Sequence, residues 1–258
     1  MPIIKTIKLH NAKINSVRHY LDESNKRDLV ITASNDKNIN VWECDNYSNI
    51  FNITHDKPVI TANIIFSDNE IYIIGAGDND YLNVWDGKKN KIANFGDTSI
   101  TNRRSEIFYF ENYLLIIVSG TKGINIYDFN EKKIFRNFLE KNDSSYHFYF
   151  HIMYVKETLE LIETSNDGCI RIWDFNNLKL LKKISHSWLS GLTIWDENNF
   201  CIGSCNKNVI LFDFNNYQEI KQYSKHTGRI IQLNKMNHPF LGECLISQSE
   251  DGCIFIWN

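Results

Sequence analysis

Ser247-Gln248-Ser249-Glu250-Asp251-Gly252-Cys253-Ile254-Phe255-Ile256-Trp257 is the stretch that decides the fold. Asp-Gly marks a turn, and an alternating run follows it. Ile254 and Ile256 fall on one face of a strand and Trp257 on the other. The same ending recurs in Ile39-Asn40-Val41-Trp42, Leu82-Asn83-Val84-Trp85, Ile124-Asn125-Ile126-Tyr127, Ile170-Arg171-Ile172-Trp173 and Val209-Ile210-Leu211-Phe212. The aromatics stand at 42, 85, 127, 173, 212 and 257, so the spacings are 43, 42, 46, 39 and 45 residues. None leaves room for a further hidden unit. A strand apolar on both faces is buried on both sides, as in stacked sheets. A helix would need a period of 3.6, which no segment has. Asp86, Asp128, Asp174 and Asp213 follow four of the six aromatics.

Upstream of the aromatic, His10, His55, His186 and His226 lie about thirty residues away in four of the units. In two units a hydroxyl residue and an Asp intervene at matching offsets: His10, Thr32, Asp36 and Trp42, and His226, Ser247, Asp251 and Trp257. The fourth unit keeps Asp167 and Trp173 but has Glu163 at the hydroxyl position and no matching His. The second and fifth have Asp78 or Asn79, and Asn206, near the Asp position, and the third has almost none of the set. Trp195-Asp196 imitates a unit ending but follows His186 by only nine residues.

A period of about 40–45 residues closing on Trp-Asp resembles the WD40 repeat family. The family's Gly before each His is missing here. The resemblance implies an all-β, six-bladed β-propeller of four-stranded antiparallel blades in one domain spanning 1–258. It implies that each His, hydroxyl, Asp and Trp set is a buried structural hydrogen-bond network. The chain stops just after Trp257, and residues 3–9 have the pattern of an outer strand. The N-terminal strand is therefore expected to complete the last blade and close the ring, removing exposed edges.

A net charge of −3 argues against nucleic-acid binding, which wants a basic face. No run approaches the roughly 18 apolar residues of a membrane helix, and 1–15 lacks a signal-peptide core, so cytoplasm or nucleus is expected. Six cysteines in such a chain are expected to be reduced. Cys201 and Cys205, four residues apart on a strand, stand about 13 Å apart, too far to share an ion. No metal and no cofactor is expected. Ser, His and Asp in one unit suggest a nucleophilic triad, but the set recurs with its Trp and no nucleophile elbow is present. No phosphate loop or zinc-protease motif occurs either, and no enzymatic activity is expected.

The surface is where function is expected, as binding of other proteins or peptides. By the resemblance, one rim carries the residues just after each His and just before each Asp: Lys13, Asn35, Lys57, Asn166, Trp188, Arg229 and Glu250. Trp and Arg are the residue types that dominate binding energy at interfaces. Arg229 has Glu250 as an alternative partner. Arg103-Arg104 is the only Arg pair, but it lacks the Phe-Arg-Arg-Gly of phosphoinositide-binding relatives and reads as a solvated turn. Trp-Asp-x-Arg, frequent in receptors of cullin ligases, is absent from all six endings. An interaction scaffold is the leading reading. Its rivals are a structural subunit of a coat or nuclear-pore kind, a recognition module for modified peptides or ubiquitin, and a fragment of a longer protein.

Overall fold

The computed structural model describes residues 8–23, 25–68, 70–78, 80–96, 101–186, 189–204 and 206–258. Among them are twenty-three strands and no helix, so no helix is long and apolar enough to cross a membrane. The chain divides into two compact units, Met1–Asn137 and Phe138–Asn258.

The first unit holds three four-stranded antiparallel sheets in chain order. Sheet one is β1 (Ile14–Asp22), β2 (Arg27–Ser34), β3 (Asn38–Glu43) and β4 (Asn49–Thr54). Sheet two is β5 (Thr61–Ser67), β6 (Glu70–Ala76), β7 (Leu82–Trp85) and β8 (Lys91–Phe95). Sheet three is β9 (Asn102–Phe110), β10 (Tyr113–Gly120), β11 (Gly123–Asp128) and β12 (Lys133–Phe138).

The second unit follows the same plan. Sheet four is β13 (His147–Val155), β14 (Thr158–Ser165), β15 (Cys169–Asp174) and β16 (Lys179–Ser185). Sheet five is β17 (Leu189–Ile194), β18 (Asn199–Ser204), β19 (Asn208–Asp213) and β20 (Glu219–Ser224). Sheet six has three strands among the described residues: β21 (Ile230–His238), β22 (Gly242–Ser249) and β23 (Ile254–Trp257). The all-β fold of six blades read from the repeat is thus present. The proposed closing strand lies mainly in 1–7, outside the described residues.

Alternation explains how the sheets stack. Within β6, Ile71 and Ile73 pack with Leu29, Ile31, Ile39 and Val41 of sheet one. Their neighbours Ile74 and Ala76 pack with Leu114, Ile116 and Val118 of sheet three. The unit ending behaves alike: Leu82 and Val84 face sheet three, while Trp85 faces sheet one. In the second unit Phe200, Ile202, Ile210 and Phe212 face sheet four, and Cys201 and Val209 face sheet six. Period-two placement sends successive residues to opposite sheets, so the second and third strands are apolar on both faces. The fourth strands cover only one side, and β16 and β20 are largely exposed.

The turn between second and third strands takes a left-handed residue at the start of β3, β11, β15, β19 and β23 or within two residues before it. It is Lys37 (φ 74°), Gly123 (78°), Gly168 (80°), Lys207 (72°) and Gly252 (78°). Glycine adopts this conformation at no steric cost, and Asp-Gly supplies it ahead of β15 and β23.

Candidate functional site

Two polar systems occur in each unit: buried networks within the sheets, and an exposed rim where turns meet. In sheet one, His10 is buried, and its Nδ1 donates to the Asp36 carboxylate (2.9 Å to Oδ2). His10 Nε2 meets Thr32 Oγ1 at 2.8 Å. Asp36 also accepts from the amides of Asn11 (2.9 Å) and Asn38 (3.0 Å). Burial pushes the Asp36 carboxyl up, but the two amides and His10 outweigh it and bring the pKa down to about 2. In sheet six, His226 Nδ1 donates to Asp251 (3.0 Å), and His226 Nε2 meets Ser247 Oγ at 2.7 Å. Trp257 Nε1 donates to the same hydroxyl at 2.8 Å.

The two networks differ at the Trp. Among the described residues, Trp42 Nε1 has no hydrogen-bond partner although it is buried. Thr32 Oγ1 is turned to the Asn40 carbonyl (3.4 Å) and to His10. The expectation that Trp42 closes its set as Trp257 does is therefore corrected.

Sheet four corrects the reading that it has no His. His147, the first residue of β13, bonds through Nδ1 to Glu163, and both side chains are fully buried. Trp173 Nε1 donates to the other Glu163 oxygen at 3.0 Å. This His stands 26 residues before Trp173, as His186 does before Phe212, but it is the first residue of β13 rather than ahead of the first strand. Asp167 is bound elsewhere: Arg171 Nη2 donates to it at 2.6 Å. Arg171 is itself buried, and it also donates to Ser165 Oγ (2.6 Å) and Glu140 (2.6 Å) and lies 2.7 Å from Asp143. Lys183 joins Glu140 at 2.6 Å. Burial raises the Asp167, Asp143 and Glu140 carboxyls, but Arg171 and local donors outweigh it, and all three lie below the usual carboxylate range. Buried charge of this kind needs such pairing.

Sheets two and five depart further. Asp80, not Asp78 or Asn79, faces His55, with Oδ2 3.1 Å from Nε2. Asn79 is outside the described residues, and Asp78 lies 3.5 Å from Arg103. His186 lies 3.8 Å from Glu219 and edge-on to Phe212. The Asn206 amide bonds to Ser204 Oγ (2.9 Å). Arg103 and Arg104 are on β9, not in a turn, and Arg104 pairs with Glu106 (2.7 Å from Nε).

The rim residues share one backbone arrangement. The amide before each Asp donates to the residue that leads into the first strand: Asn35 to Lys13 O (2.9 Å), Asn166 to Tyr146 O (3.0 Å) and Glu250 to Arg229 O (2.9 Å). Gly228 makes the last possible, since a Cβ there would stand 2.6 Å from the Asp251 amide nitrogen. In the first unit Asn35 and Lys57 line one recess of about 320 Å³ with Pro58, Ile60 and Asp78. Asn15 donates to Asn35 Oδ1 (2.7 Å) and to Val59 O (2.8 Å), bracing it. In the second unit Arg229 Nε lies 3.5 Å from Glu250 Oε1. Trp188 lies outside the described residues.

Comparison with known proteins follows the same line. Residues 1–43, which carry the His10 network, match the family model described as WD domain, G-beta repeat. Over 100 residues the chain is 30% identical to the WD repeat domain-containing protein 83 homolog of Dictyostelium discoideum. That stretch is 38% of this chain and spans about 30% of the relative's length. Propellers of this kind generally bind other proteins and are generally not enzymes. Six sheets that share one third-strand motif, the matched first repeat and the WD-repeat relative all point the same way: the chain is similar to the WD40 repeat family.

Proposed function

We propose that this protein is a non-enzymatic scaffold whose turn-lined rim holds partner proteins or peptides. What carries the reading is the cluster of Lys13, Asn35 and Lys57. Asn35 bonds by its backbone to Lys13 and lines a recess with Lys57. Lys13 and Asn35 are exposed. Two lysines on this rim suit an acidic side chain or a peptide carboxylate, because cationic groups favour an anion. Asn166, Arg229 and Glu250 form the corresponding rim positions of the second unit.

Affinity purification with mass spectrometry tests this. Wild type is compared with Lys13→Glu/Lys57→Glu and with Arg229→Glu. Charge reversal should remove partners at an unchanged melting temperature. Retention of every partner by both variants overturns the proposal.

A further inference from the structure

His19, Asp28 and Cys44 come from three adjacent chain segments of sheet one, and their donor atoms all lie within 4.8 Å of one another. Register puts them there. His19 pairs with Val30, and Leu21 pairs with Asp28. Leu29 pairs with Glu43, so the next residue, Cys44, stands beside Asp28, and its amide donates to the Asp28 carbonyl (2.8 Å). Cross-strand partners share a face, and so do residues two apart on one strand. All three side chains therefore leave the same face of the sheet for reasons of backbone geometry.

Asp28 accepts a hydrogen bond from His19 Nε2, and the Cys44 thiol lies beside the pair. An imidazole, a carboxylate and a thiol gathered on one face form the kind of donor set that one cation can bridge. The His19 side chain is 63% exposed and Asp28 40%, so an ion reaches the group from solvent and the imidazole can adjust.

We propose that His19, Asp28 and Cys44 bind one zinc ion, with water in the fourth position. Thiolate, imidazole and carboxylate together suit this borderline ion, at about 2.3, 2.0 and 2.1 Å. Tetrahedral ligands at such distances stand roughly 3.3–3.8 Å apart, so the donors need to close by about 1 Å. On binding, the Cys44 sulfur–hydrogen bond breaks, the sulfur–zinc bond forms, and the proton passes to solvent.

Isothermal titration with zinc chloride tests the site on tag-free protein kept reduced by a phosphine. Wild type should bind one equivalent, and His19→Ala and Cys44→Ser should each weaken binding about tenfold or more. Cys253→Ser, which alters an exposed cysteine outside the group, should bind as wild type does. Affinity should rise about tenfold per pH unit below the thiol pKa, since one proton leaves. Cobalt should give a thiolate charge-transfer band that Cys44→Ser lacks. Equal zinc affinity in wild type and in His19→Ala, or no thiolate band in wild type, overturns the proposal. His19 is a surface residue, so His19→Ala remains a valid test if Cys44→Ser fails to fold.

Discussion

His147 and Glu163 are joined across β13 and β14 with both side chains fully buried. Glu163 stands four residues before Asp167, where Thr32 and Ser247 stand in sheets one and six. It receives both the His and the Trp173 indole. One carboxylate thus replaces a hydroxyl as the centre of the network, and the His arrives from a different segment.

Glu163→Ala should cost about 3–5 kcal/mol, because it leaves His147 Nδ1 and Trp173 Nε1 buried without the acceptor they share. Urea unfolding measures this. A loss below about 1 kcal/mol would mean that the pair is a bystander.

Arg171→Met should be similarly severe at pH 7, about 3–5 kcal/mol, since the Glu140, Asp143 and Asp167 carboxylates lose their common cation. These carboxyls have depressed pKa values in the folded protein, so the stability they confer is present above about pH 4 and is lost as pH falls. The deficit of the variant should therefore shrink on acidification. Unfolding curves from pH 7 to pH 3 check the sign, and a deficit constant with pH contradicts it.

The two Trp residues should respond unequally. Trp257→Phe removes a hydrogen bond to Ser247, but Trp42→Phe removes none. Beyond the packing change common to both, Trp257→Phe should cost about 0.5–1.5 kcal/mol more. Ser247→Ala, which orphans His226 and Trp257 together, should cost about 1–3 kcal/mol. Denaturant midpoints of the three variants test the asymmetry.

Acid should find the Asp36 network. The folded pKa of Asp36 is about 2, below the ordinary carboxylate value, so the folded state binds the proton more weakly. Its contribution is complete above about pH 4 and disappears as pH falls towards about 2. Asp36→Asn should flatten the stability profile over that window, and a profile identical to wild type removes Asp36 from acid unfolding.

What was legible in the sequence was whatever repeats with a fixed offset. The six endings announced six sheets because a strand buried on both faces places apolar residues on each, and period-two alternation leaves no other placement for Val84 and Trp85. The His10 and His226 networks were legible for the same reason, since matched offsets place matched side chains.

Only tertiary structure could decide the remainder. Asp80 reaches His55 from one residue nearer its aromatic than Asp36 and Asp251 stand to theirs, and Glu163 takes the hydroxyl's place beside a His that heads the first strand. Trp42 lacks the bond that Trp257 makes, a matter of where one hydroxyl points. His19, Asp28 and Cys44 are far apart in the chain and are united by strand register. Repetition records which strands form. It does not record which side chains meet between them, because hydrogen-bond partners are chosen by distance across strands and not along the chain.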